Sequence, residues 1–125
     1  EATPFAYGAG HIQQELAMDP GLVYDLNTTD YLNFLCAHGY SLTQIRMFSR
    51  KPHNCPKSYN TYDLNYPSIT VPNLGINSTE VTRTVTKVGS PGTSEVHVRV
   101  PIGVSVLVEP RSLTFIEVGE KKRFK

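Results

Sequence analysis

The feature that most constrains this chain is a strict two-residue alternation in its second half, where Val96, Val98 and Val100 alternate with Glu95, His97 and Arg99. Val104, Val106 and Val108 repeat it against Ser105, Leu107 and Glu109. Successive side chains of an extended strand point to opposite faces, so these runs predict strands with one face buried and one wet. Turn-forming residues recur at Pro72-Asn73-Leu74-Gly75, Gly89-Ser90-Pro91-Gly92, Pro101-Ile102-Gly103, Pro110 and Gly119. Short strands at this spacing point to a β-sandwich. The strand candidates are 68–71, 81–88, 95–100, 104–108, 113–117 and one opening at Lys121. A complete sandwich of this type has about seven strands, and the chain ends inside the last candidate. The expectation is an all-β sandwich that is cut short.

The first half reads differently. Phe5 to Gly10 is predicted to be the end of a buried strand, because closely spaced glycines weaken a helix. A short helical turn over Gln13 to Met18 should stop at Asp19-Pro20-Gly21, a turn signal, and the chain should then extend through Leu26. Thr28, Thr29 and Asp30 can cap a helix whose apolar face holds Tyr31, Leu32, Phe34 and Leu35, with Gly39 ending it. Ser41-Leu42-Thr43-Gln44 fits a capping box that opens a second helix, with Leu42, Ile45 and Phe48 on one side and an end near Ser49. Pro52 disfavours helix beyond that point. The polar stretch 51–63, with Pro52 and Pro56, reads as a connector between a unit at 1–50 and a β unit at 64–125.

Several ordered blocks resemble a known family. They are Tyr7-Gly8-Ala9-Gly10-His11-Ile12, Ala17-Met18-Asp19-Pro20-Gly21-Leu22-Val23-Tyr24-Asp25 and Asp30-Tyr31-Leu32-Asn33-Phe34-Leu35-Cys36. Asp63-Leu64-Asn65-Tyr66-Pro67-Ser68-Ile69, Thr82-Arg83-Thr84-Val85-Thr86-Lys87-Val88-Gly89 and Pro101-Ile102-Gly103-Val104 follow in order. Together they resemble the end of a plant subtilisin-like serine protease of the cucumisin-like type. The resemblance implies that 1–50 is the closing strand and two helices of an α/β peptidase domain. It implies that 64–125 is a fibronectin type III-like module, incomplete at its C-terminus. It also implies that the Ser nucleophile, the catalytic His and Asp and the oxyanion-hole Asn all lie upstream, so no catalytic residue is expected here. The start at Glu1 rather than Met fits a piece of a longer protein. The parent would be a secreted endopeptidase of the apoplast or cell wall, acting on polypeptide substrates.

Charge and cysteine content narrow the classes. Lys plus Arg number 12 against 11 for Asp plus Glu, a formal charge of +1, so no basic field would draw nucleic acid or anionic lipid. No apolar run approaches the roughly 20 residues that span a bilayer. The two cysteines, Cys36 and Cys55, allow one disulfide, which for a loop of this length stabilises by about 3 kcal/mol in an oxidising compartment. The triplets Asn27-Thr28-Thr29 and Asn77-Ser78-Thr79 are acceptor sequences for N-linked glycan and fit the same compartment. The rival reading is a zinc site from Cys36, His38, His53 and Cys55 in a small metal-stabilised domain, although structural zinc sites mostly space paired ligands by two to four residues. A second rival is a free-standing β-sandwich that binds protein partners.

Other chemistry finds little support. Gly92-Thr93-Ser94 imitates the nucleophile sequence of the resembling family, but Ser94 leads into alternating valines rather than a helix, and His97 shares the outward face with Glu95 and Arg99. His11 reads as a structural histidine bonded to nearby backbone. Asp19, Asp25, Asp30 and Asp63 sit in turns or helix starts, where side-chain capping accounts for them. No glycine-rich phosphate loop or dinucleotide fingerprint is present, so no cofactor is expected.

Overall fold

The computed structural model describes residues 4–8, 10–72 and 74–125. Ala9 of the glycine run and Asn73 of the first turn signal lie outside them. The elements in chain order are α1 (Pro4–Tyr7), α2 (Gln14–Met18), β1 (Leu22–Val23), α3 (Thr28–Ala37), α4 (Leu42–Phe48), β2 (Arg83–Lys87), β3 (Gly92–Glu95), β4 (Ser112–Phe115) and β5 (Lys121–Phe124), with a 3-10 turn at Thr61–Asp63.

The predicted strand end at Phe5 to Gly10 is instead the single helical turn α1, tolerated because Pro4 stands where an intrahelical N–H is not needed. The cap of α3 is Asn27, one residue before the expected group. Its Oδ1 accepts from the amides of Thr29 at 2.8 Å and Asp30 at 3.2 Å, while the Asp30 carboxylate accepts from the Asn27 amide at 2.9 Å. At the other end Gly39, at φ +83°, takes the left-handed conformation that lets its amide reach Cys36 O and lets the Tyr40 amide reach Leu35 O. The Ser41/Gln44 capping box opens α4, and Ser49 closes it. Leu32 and Ile45, 4% and 1% exposed, are the fully buried apolar side chains of these helices. Tyr31, Leu42 and Phe48 stay exposed.

The β half forms two antiparallel sheets, β1-β2-β5 and β3-β4. They meet at Phe115 on β4, 2% exposed, with Lys87 Nζ of β2 and Lys122 Nζ of β5 each 5.7 Å from its ring centre. Of the strand candidates, 81–88, 113–117 and the one opening at Lys121 contain β2, β4 and β5. Residues 68–71, 96–100 and 104–108 are not strands. The Ser68 carbonyl is taken by a side chain rather than a ladder. The valine runs leave Val96, Val98, Val100 and Val106 exposed, and Val96, Val98 and Val106 line a groove with Val108 and Arg111, with no apolar layer against them among the described residues. Alternation marks a face that can be buried, and a strand still needs a partner.

Candidate functional site

The most constrained place in the molecule is the seam where residues 19–25 join the β half. Leu22 pairs with Lys87 and Val23 with Thr86, so a strand from the first half is the edge of a sheet built by the second. Gly21 O extends the ladder, accepting from the amides of Val88 at 3.0 Å and Gly89 at 3.1 Å. A side-chain carbon at Gly89 would stand 2.8 Å from Asp19 Oδ1 and 3.0 Å from Gly21 Cα. Only glycine permits that approach without displacing backbone.

Side chains reinforce the seam. Asp25 Oδ2 accepts from the Thr86 hydroxyl at 2.5 Å and pairs with Lys121 Nζ at 3.0 Å, tying a residue two positions beyond β1 to β2 and β5. The Thr86 hydroxyl, and after it Lys121, hold the Asp25 carboxyl below its ordinary range. Asn65 acts as a substitute strand: its Oδ1 accepts from Thr84 N at 2.7 Å, and its Nδ2 donates to Thr84 O at 2.8 Å and Asp25 O at 3.0 Å. Asp63 Oδ1 accepts from Thr82 N at 2.7 Å.

Beneath these lies Arg83, 4% exposed. Its Nε donates to Tyr66 O at 2.8 Å, its Nη1 to Tyr62 O at 2.6 Å and Thr82 O at 2.8 Å, and its Nη2 to Ser68 O at 3.2 Å. A guanidinium carries donors in a fixed fork and keeps its charge, so burial demands partners for it. Burial pushes its pKa down, against the pull of Asp63. The carbonyls it gathers fix the path of residues 62–68. Tyr59 in the connector is close enough that burial, then Asp30 and Asp63, push its phenol up.

The seam can position two chain segments rigidly, and it holds no nucleophile and base in contact. Ser94 sits in β3 opposite Leu113, His97 is exposed beyond the end of β3, and no hydrogen bond joins them among the described residues. His11 is exposed. Cys36 and Cys55 are joined, with S–S 2.04 Å and Cα–Cα 5.6 Å, which ties the end of α3 to the connector. Oxidised sulfurs cannot serve as thiolate ligands, so the zinc reading of Cys36, His38, His53 and Cys55 is set aside. His38 packs on Phe34 with ring centres 4.4 Å apart. Asn27 and Asn77 are both exposed. Asp30 caps as expected, whereas Asp25 and Asp63 bridge distant segments. Sequence reasoning missed Asp25, Asn65, Arg83, Thr86 and Lys121 as a group. The available signal was Arg83, a charged residue in register with Val85 inside a strand.

Comparison with known proteins bears on this seam. The fibronectin type-III domain family matches residues 63–125, the stretch that runs from Asp63 through β5. The chain belongs to that family. Over its length it is also similar to plant subtilisin-like proteases. It is 54% identical to subtilisin-like protease SBT5.3 of Arabidopsis thaliana, covering 100% of this chain and 16% of that protein. It is 52% identical to subtilisin-like protease Glyma18g48580 of Glycine max, covering 99% and 16%. The CO(2)-response secreted protease of Arabidopsis thaliana is 44% identical, covering 96% and 17%. The chain thus spans about a sixth of the length of these relatives. The first strand of the sheet, β1, lies outside the stretch matched as fibronectin type-III, so the seam joins that domain to the segment preceding it.

Proposed function

We propose that the chain is the non-catalytic C-terminal part of a secreted plant subtilisin-like serine endopeptidase, in which residues 1–50 close the peptidase domain and 64–125 carry the fibronectin type-III module, with 51–63 between them. The parent would cleave polypeptides through a Ser nucleophile, a His base and an orienting Asp, all supplied by sequence upstream. This part contributes alignment: it fixes the module against the peptidase body. The observation that carries the reading is β1, a strand of the amino-terminal segment hydrogen-bonded into the module's sheet. The exposed Tyr7, Ile12, Leu16 and Met18 before it supply the apolar surface that a peptidase body would cover. Among the described residues no helix is long and apolar enough to cross a membrane, and a secreted relative supports an extracellular place.

The test is a chimera in which this chain replaces the matching stretch of a full-length plant subtilisin-like protease. Peptide hydrolysis should survive with the unaltered chain and fall with Gly89→Val, which forces the seam apart. Equal activity with the stretch deleted would overturn the reading and favour an independent binding module.

A further inference from the structure

The side chain that opens α3 has one atom that the cap does not use. Asn27 is exposed, as are Thr28 and Thr29. Its carbonyl oxygen is fully engaged by the amides of Thr29 and Asp30, whereas no hydrogen bond among the described residues occupies its Nδ2. We propose that Asn27 is an N-glycan acceptor whose two side-chain atoms have separate duties, Oδ1 capping α3 and Nδ2 carrying the sugar. Asn77, exposed beside Ser78 and Thr79 in the loop before β2, is a second acceptor with no capping duty.

The chemistry permits the division. The donor is an oligosaccharide on a lipid diphosphate. The bond from sugar C1 to the diphosphate oxygen breaks, the C1–Nδ2 bond forms, the lipid diphosphate leaves, and Nδ2 gives one proton to the transferase. The product amide keeps Oδ1 with its lone pairs, so the cap survives modification. The sugar then projects from the start of α3 into solvent, four residues beyond the β1 edge.

The experiment secretes the 125-residue chain from plant cells behind a cleavable leader and maps peptides after enzymatic deglycosylation in heavy-oxygen water, in the medium and in the microsomal pool. Sampling the microsomes makes the result independent of whether the chain folds alone, and the leader makes it independent of the protease reading. The expected result is the Asn-to-Asp mass mark at Asn27 and Asn77, lost at position 27 in Thr29→Ala and Asn27→Asp. An unmarked Asn27, with or without a mark at Asn77, overturns the proposal. The division of duties has its own readout in the bacterial, sugar-free chain. Asn27→Asp should leave amide exchange at Thr29 and Asp30 unchanged, while Asn27→Ala speeds it roughly fivefold. Equal acceleration in both variants would show that Oδ1 is not the cap.

Discussion

Two stretches of the fibronectin type-III module invert the usual relation between polarity and burial. β2 reads Arg-Thr-Val-Thr-Lys and is the most buried strand, with Arg83, Val85, Thr86 and Lys87 all inside. The valine runs 96–100 and 104–108 are far more apolar and lie open. Hydropathy states how much a segment gains from burial, but neighbours decide whether it is buried. β2 has β1 on one side, β5 on the other and Asn65 and Arg83 partners around it, whereas nothing described lies over the valines. Polar atoms inside are tolerated when each finds a partner.

The strongest way to break this contrast is to remove the partner that β2 organises. Arg83→Ala leaves carbonyls of Tyr62, Tyr66 and Ser68 without their donor and should cost about 3 kcal/mol or more in denaturant unfolding. A loss below about 1 kcal/mol would mean that water substitutes freely and that the site is less buried than it stands.

Opening the Cys36–Cys55 bridge with paired Cys→Ser changes should cost about 3 kcal/mol by freeing the loop it closes. The effect should vanish for the unaltered chain measured under reducing conditions. Gly89→Val attacks the seam directly. By pushing against Asp19 and Gly21 it should cost about 2 kcal/mol and expose the Val88 and Gly89 amides to exchange, while α3 and α4 remain protected. Uniform exchange across both halves would instead show one cooperative unit.

The Asp25 clasp should give a smaller effect with a defined pH dependence. Its carboxyl is lowered in the folded state, so its contribution is present above the unfolded carboxylate value near pH 4 and is lost as pH falls through the folded value. The pair is half in water, which limits Asp25→Asn to about 1 kcal/mol or less at neutral pH. The variant and parent should converge only in strong acid. Smallest of all, Val98→Thr and Val106→Thr should shift stability by under about 0.5 kcal/mol, since both side chains are already exposed. A larger loss in the chimeric protease than in the isolated chain would reveal that something covers them there.

Local signals were the legible ones. The capping box at Ser41 and Gln44, the end at Gly39 and the turn at Asp19-Pro20-Gly21 act within a few residues, and each stands where the sequence places it. Asn27 does not stand out as the cap, since Thr28, Thr29 and Asp30 beside it are equally good capping residues. The seam was illegible because its parts are distant in sequence: Asp25 meets Thr86 and Lys121, and Asn65 meets both Asp25 and Thr84. Composition and periodicity carry no record of which remote polar groups will meet. The same limit made the valine runs look like certain strands, because alternation says nothing about a ladder partner.

The pairing of Leu22 with Lys87 also orders events during synthesis. Ribosomes release the chain from its amino end, so α3 and α4, whose contacts are short-range, can settle early. Residues 22 and 23 lack their ladder partner until the segment that follows Arg83 has emerged. Closing so wide a loop is slow compared with helix formation. The interval leaves an edge open to foreign strands, and a chaperone that shields this short stretch would raise the yield of correctly joined halves.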